Sequence, residues 1–66
     1  TMNNLITVTE KQVIGMVAKG YSTKMIASER NRSERTIEQQ RKTIYLKLGA
    51  SNCAEAISKA KDLKLI

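Results

Sequence analysis

The amino-acid sequence predicts an all-α fold, a four-helix bundle. Proline is absent from the 66 residues and glycine occurs only three times, so little in the chain interrupts a helix. Residues that favour helix N-caps are followed by segments with apolar side chains at helical spacing. These segments predict helices at about residues 7–19, 23–30, 34–48 and 53–64.

The first predicted helix has a signal at each end. Thr7 and Glu10 have the spacing of a capping box, in which each side chain accepts a hydrogen bond from the other residue's backbone N–H. Gly20 is suited to end the helix, because glycine adopts a left-handed backbone without strain. Between them, Val13 and Val17 lie at the centre of an apolar side that we expect to face the core.

The other three helices have similar signals. Ser22 and Ser33 are the predicted N-caps of the second and third helices, and Gly49 ends the third. Asn52 and Glu55 predict a second capping box at the start of the fourth helix. The apolar side of that helix is predicted to consist of Cys53, Ala56, Ile57, Ala60 and Leu63. A short helix and a long one joined by a tight turn have the outline of a helix-turn-helix.

The net charge of +6 and the pI of about 9.8 point to an anionic partner. Residues 30–47 hold six basic residues against two acidic ones, a net +4. A basic stretch on a small domain most often meets nucleic acid or an anionic membrane surface. Composition alone leaves open a third interpretation, a charged helix face that keeps the protein soluble.

The composition argues against metal sites and catalysis. There is no histidine, Cys53 is the single cysteine, and Asp62 is the single aspartate. We therefore expect no metal, no cofactor and no enzymatic activity, and we interpret Cys53 as a small buried apolar side chain. With no membrane-spanning run and no signal peptide in the sequence, we expect a soluble, cytoplasmic protein. Residues 1–5 are interpreted as a linker or cloning remnant, and residues 6–66 as one domain.

The third predicted helix has two chemically different sides. Ile37, Ile44 and Leu48 fall in one narrow sector and are expected to hold the helix to the core. The opposite side carries side chains that can pair with base edges, namely Arg35, Glu38, Gln39 and Lys42. Leu46 also falls on this outer side, and the sequence suggests no DNA-reading role for it. The alternative is a solvated surface with an intrahelical glutamate–lysine pair.

Motifs along residues 6–60 resemble, without a gap, the LuxR/NarL-type (GerE-like) helix-turn-helix domain of bacterial transcription regulators. The motifs are Ile6-Thr7-x-x-Glu10-x-x-Val13-Ile14, Val17-Ala18-x-Gly20-Tyr21-Ser22-Thr23-Lys24-x-Ile26-Ala27, Ser33-x-x-Thr36-Ile37, Ile44-x-x-Lys47-Leu48-Gly49-Ala50 and Glu55-Ala56-Ile57. Because several separate motifs keep the family's spacing, the resemblance favours DNA binding over the other interpretations of the basic stretch.

The resemblance implies that the third helix enters the major groove and that the fourth supports a homodimer. Many members of the family are the C-terminal effector domain of a response regulator in a two-component system, or of a ligand-sensing protein. By position, base contacts fall on Glu38, Gln39 and Lys42, and we add Arg35 from the outer side of the helix. Phosphate contacts fall on Thr23, Lys24, Thr36, Arg41 and Lys47. Ser33 joins them because the N-terminus of a helix accepts a phosphate oxygen.

The expected partners are double-stranded DNA, a second copy of the chain and, as a further candidate, RNA polymerase. No membrane and no small-molecule ligand is expected for this domain. Two other interpretations remain open from the sequence. One is a promoter-recognition module of the sigma-factor type, and the other is a basic protein-interaction module that docks an acidic partner.

The chain departs from the family pattern at a few positions. Glu38 stands where the family usually has a basic residue, and Gln40 stands where it often has histidine. Arg30 and Arg32 occupy places that are usually aliphatic, so either the turn packs differently or their stems cover the core with the charged heads in solvent. Cys53 replaces a usual arginine. The changes in the third helix bear on the DNA sequence that is recognised, not on the fold.

Overall fold

The computed structural model describes residues 6–66, and they form four helices: α1 (Val8–Ala18), α2 (Thr23–Arg30), α3 (Glu34–Leu48) and α4 (Cys53–Asp62). The predicted all-α fold is confirmed, and each predicted helix end lies within two residues of the observed one. Helix α3 packs against each of the other helices, and α1 also packs against α4. The predicted linker at residues 1–5 lies outside the described residues.

All four predicted N-caps form, each by a side chain that accepts a hydrogen bond from the backbone N–H three residues later. At α1 the capping box is complete: Glu10 N–H donates to Thr7 Oγ1 at 3.1 Å, and Thr7 N–H donates to Glu10 Oε1 at 2.9 Å. For the second predicted capping box, one of the two predicted hydrogen bonds forms and the prediction of the other is wrong. Asn52 does cap Glu55, but the Glu55 carboxylate accepts from the N–H of Ser51 instead of that of Asn52.

Each helix is followed, within two residues of its end, by a residue with a positive φ. These residues are Gly20, Asn31, Gly49 and Lys64. The N–H of the residue that follows each one donates to a carbonyl five positions earlier, at 2.8 to 3.1 Å. This is the hydrogen bond of a Schellman motif, which satisfies a carbonyl at the helix end and turns the chain sharply. The turn at Asn31 therefore joins α2 to α3 within three residues.

The core is made of aliphatic side chains from all four helices. Val13, Ile14, Ile26, Ile37 and Ile44 are completely buried. The small residues Ala56 and Ala60 are also fully buried and let α4 approach its neighbours closely. Lys59 of α4 donates to the Gly49 carbonyl oxygen at 2.8 Å, which fixes α4 to the C-terminal end of α3.

The predicted burial of Cys53 is wrong, because its side chain is exposed. At about 100° per residue it lies about 20° from Ala60 and about 60° from Ala56 around the helix axis, on the same side of the helix. However, it is the first residue of α4 and so lies a turn before Ala56, at an end of the helix that the core does not cover. Ile57 and Leu63, from the same predicted side, are half-buried. Leu65 is buried after the end of α4, where the Schellman turn folds it back onto the core.

Candidate nucleic-acid interface

The two sides of α3 have opposite exposure, as the sequence predicts. Ile37 and Ile44 are fully buried and Leu48 nearly so. On the other side the four predicted base-reading residues are all exposed to solvent, namely Arg35, Glu38, Gln39 and Lys42. Since α3 is anchored to three helices through its buried side, its outer side chains project from a rigid support.

Two predicted phosphate-binding residues meet across the α2–α3 junction. Arg41 Nη1 donates to Thr23 Oγ1 at 2.8 Å. The same guanidinium donates through Nε and Nη2 to the hydroxyl of Tyr45, at 3.2 and 2.9 Å. Its central carbon lies 5.9 Å from the centre of the Tyr45 ring, close enough for a cation–π attraction. The Arg41 side chain is therefore held in one orientation by α2 and by its own helix.

Tyr45 is a functional residue of this surface that the sequence pattern alone does not identify. Its position four residues after Arg41 on the same helix is the signal that could have identified it, because side chains at this spacing are neighbours on a helix surface. Its hydroxyl accepts two hydrogen bonds from the Arg41 guanidinium.

A pair of hydroxyl groups lies at the N-terminus of α3. Ser33 Oγ accepts from the backbone N–H of Thr36 at 3.1 Å, and the two side-chain oxygens are 3.0 Å apart. Ser33 is exposed and Thr36 is half-buried. These two predicted phosphate-binding residues therefore lie together, beside the positive end of the helix dipole.

Lys47 forms an ion pair with the carboxylate of Glu10 in the same domain. Its Nζ donates to Glu10 Oε1 at 2.8 Å and to Oε2 at 3.0 Å, which ties α3 to the first turn of α1. Burial by itself raises the pKa of Glu10, but the hydrogen bonds from Lys47 and Thr7 and the charge of Lys47 outweigh it, so this pKa lies below its ordinary value of 4.5. A phosphate contact by Lys47 requires the ammonium group to be shared with Glu10.

The three remaining basic residues near the junction differ in their surroundings. Lys24, at the start of α2, is exposed. Arg30 is half-buried, and its Nη1 donates to Gln12 Oε1 of α1 at 2.7 Å. Arg32, in the turn, is exposed. The unusual arginine at the end of α2 therefore makes a polar contact with α1, whereas the one in the turn is open to solvent.

The chain matches the sequence profile of bacterial regulatory proteins of the luxR family over residues 4–60. This chain belongs to the LuxR family. The membership indicated by the sequence motifs is thereby confirmed, and with it DNA-binding transcription regulation as the activity of the family to which the domain belongs.

Two curated relatives of this LuxR-family chain are transcription regulators. It is 44% identical over 52 residues to the transcriptional regulatory protein YdfI of Bacillus subtilis (strain 168), a match that covers 76% of this chain and 24% of YdfI. It is 36% identical over 58 residues to the HTH-type transcriptional regulator MalT of Yersinia pestis (strain Pestoides F), covering 88% of this chain and 6% of MalT. The chain thus spans a quarter or less of the length of these relatives.

A solved structure has the same fold. The response regulator ChrA, of a heme-sensing two-component system, superimposes with a TM-score of 0.89 at 30% identity, over 92% of this chain and 30% of ChrA. Within the described part of this LuxR-family chain, no helix is long and apolar enough to cross a membrane.

Proposed function

We propose that this domain binds a specific sequence of double-stranded DNA to regulate transcription, with α3 in the major groove and two copies joined through α4. The observation that carries the proposal is the arrangement of α3. Its inner side is locked into the core, and its outer side presents Arg35, Gln39 and Lys42 in a sector about 60° wide, with Glu38 at the edge. A major groove admits one α-helix, so a row of this kind can face base edges.

The outer residues have complementary base-pairing abilities. Arg35 and Lys42 can donate to guanine O6 and N7, and Gln39 can pair with adenine through two hydrogen bonds. Glu38 can accept from the amino group of cytosine. An amide, an acid and two cations on one side favour sequence reading, since a purely electrostatic surface needs neither the amide nor the acid.

Phosphate contacts on either side of the row would set the position of α3 in the groove. Lys24, Ser33 and Thr36 lie near the N-termini of α2 and α3. Arg41 is held in place by Thr23 and Tyr45 before any DNA arrives. A donor already held in place loses less conformational entropy on binding, so Arg41 is well suited to clamp a phosphate. Lys47 would contribute while it remains paired with Glu10.

The exposed side of α4 supports the proposed dimer. Ala54, Ser58 and Lys61 are exposed at positions i, i+4 and i+7, so they share one side of the helix. Two small side chains and a single charge let a second α4 approach closely. A symmetric dimer of this kind binds half-sites about 10 base pairs apart. As a regulator the protein would act in the bacterial cytoplasm, with RNA polymerase as a further candidate partner.

Selection from randomised duplex DNA, at two salt concentrations, tests this function. The protein would be the full 66-residue chain fused to a dimerising tag, which raises the effective concentration of the second copy. We expect an enriched inverted repeat and an affinity that falls steeply with salt. A pool that stays random, with salt-sensitive binding only, would show that α3 does not read sequence.

A further inference from the structure

Leu46 is the most exposed of the large apolar side chains that the structure describes, with 82% of its surface open to solvent. Single exposed leucines are common and need no explanation by themselves. This one lies in the last turn of α3, the helix proposed to read DNA, and not at a frayed chain end. Its position relative to the reading residues is therefore informative.

Leu46 continues the row of proposed base-reading residues. It follows Lys42 by four positions and Gln39 by seven, the spacings that place side chains above one another on a helix. At about 100° per residue it falls within the sector bounded by Gln39 and Lys42, and it lies about 6 Å beyond Lys42 along the axis. If Lys42 faces base edges, Leu46 faces the same groove one turn further on.

The surroundings of Leu46 form a shallow groove of mixed chemistry. Its lining is Lys42, Tyr45, Leu46, Ala50 and Ser51. The lining has no acidic side chain, and its one charged group is the lysine that belongs to the proposed DNA interface. A fitting occupant is a small apolar group carried on a polyanion. The C5-methyl group of thymine, which projects into the major groove, meets both conditions.

We propose that Leu46 helps to determine DNA-sequence specificity by packing against the methyl group of a thymine in the operator, the DNA sequence that the domain selects. The inference rests on the proposed function, because it requires α3 to lie in the major groove. It adds a residue that recognises a base without a hydrogen bond, at a position where the sequence alone suggested no role.

The test replaces thymine by uracil in the selected operator, one position at a time. Uracil pairs with adenine in the same way and lacks only the methyl group. We expect at least one thymine per half-site whose replacement weakens binding by about threefold to fivefold, the effect of burying one methyl group. Leu46→Ala should bind the thymine and uracil forms of that site equally.

A matched control is Val8→Ala. Val8 is also a largely exposed apolar residue, 71% open to solvent, but it lies on α1 outside the row. This variant should keep the thymine-to-uracil ratio of the parent protein. Thermal unfolding of Leu46→Ala should match that of the parent, since an exposed side chain contributes little to the core.

The outcomes separate this inference from the proposed function. The domain could bind an operator specifically while no thymine-to-uracil replacement has an effect that depends on Leu46. That result would overturn the inference and leave the proposed function standing. Failure to select any operator overturns both. If Leu46→Ala instead weakens self-association of the DNA-free protein and leaves the thymine-to-uracil ratio unchanged, the groove binds a second copy of the chain and the inference is wrong.

Discussion

The polar side chains of the candidate interface fall into two groups. Some are held by another side chain of the same domain, and the others are exposed to solvent. Arg41 and Lys47 belong to the first group, through Thr23 and Tyr45 and through Glu10 respectively. The exposed residues of α3 belong to the second. Substitutions in the first group should alter affinity or stability, and substitutions in the second should alter which DNA sequence is preferred.

The proposed base-reading residues can be tested one at a time. Gln39→Ala and Lys42→Ala should each cost about 1–3 kcal/mol of binding free energy on the operator, because each removes a contact to a base edge. Both variants should also discriminate less at one base position. Titration against the operator and its single-base variants measures the two effects together.

Lys24→Ala is the matched control for charge. It should weaken binding to all DNA sequences about equally and lower the slope of log K against log salt by about 1, because one phosphate contact is lost. If it changed sequence preference as Lys42→Ala does, the division between base-reading and phosphate-binding residues would be wrong.

The ion pair between Glu10 and Lys47 makes stability depend on pH. The pKa of Glu10 in the folded protein is lower than its ordinary value of 4.5, so the pair stabilises the fold above that pH. The contribution is lost as the pH falls through the lowered pKa. Glu10→Gln should lower the free energy of unfolding by about 1–2 kcal/mol at pH 7 and by progressively less below pH 4.5.

Urea unfolding of both proteins between pH 3 and pH 7 measures this dependence. Glu55→Gln is a suitable control, because Glu55 is more exposed and its nearest ammonium, that of Lys59, is 4.0 Å away. A difference between Glu10→Gln and the parent that stayed constant over the whole pH range would show that the charge of Glu10 does not stabilise the fold.

At the scale of the elements, helix ends decide how the four helices are connected. Each helix begins at a side-chain cap and is followed, within two residues of its end, by a residue with a positive φ. Achiral glycine tolerates that conformation and asparagine adopts it more readily than most, whereas other residues lose about 1–2 kcal/mol in it. Lys64, with a φ of 58°, bears this strain with a long side chain.

Lys64→Gly should therefore stabilise the domain. We expect the free energy of unfolding to rise by about 0.5–1 kcal/mol, since relief of strain exceeds the greater flexibility that glycine gives the unfolded chain. Gly49→Ala is the reciprocal variant and should lower it by about 1 kcal/mol. A methyl group at Gly49 would lie 3.5 Å from Lys59 Nζ, an ordinary contact, so this loss comes from the backbone. Urea unfolding of both variants at pH 7 measures these two changes. If both variants changed the free energy of unfolding in the same direction and by the same amount, backbone strain would not be the cause.

The helices and most of their ends could be predicted from the sequence, because the signals that define them are local. The caps at Thr7, Ser22 and Ser33 involve residues only three apart, and helical periodicity gives the buried side of α3 directly. Contacts between helices are different, because they depend on how far each helix overlaps its neighbour. Periodicity gave the angle of Cys53 but not its distance from the core, and the partnership of Glu10 with Lys47 joins residues 37 positions apart.

For the candidate interface, the same distinction explains what the sequence predicted and what it missed. Exposure of the outer side of α3 follows from periodicity. The orientation of Arg41 by Thr23 does not, because those residues are 18 positions apart on different helices. The base-reading and phosphate-binding roles themselves remain predictions, for which the observed exposure and contacts provide the starting geometry.

At the scale of the whole molecule, the proposal requires two domains joined through α4 on one operator. The exposed Cys53, the single cysteine of the chain, stands at the start of that helix and serves as a built-in probe. Helix α4 has 10 residues and is about 15 Å long. If two α4 helices pack side by side, a bismaleimide that spans about 15–20 Å should reach both cysteines whether the helices run parallel or antiparallel.

Cross-linking of the untagged chain should therefore increase when operator DNA is added. Operator DNA brings two domains onto adjacent half-sites and raises their effective concentration, whereas a duplex of the same length with one half-site scrambled does not. Cys53→Ser should give no cross-linked dimer with either duplex, and Ser58→Arg, which puts a bulky cation on the exposed side of α4, should reduce the operator-dependent product. Equal cross-linking on both duplexes would mean that binding does not join the domains through α4. The chain would then act as independent monomers on DNA or dimerise through another surface.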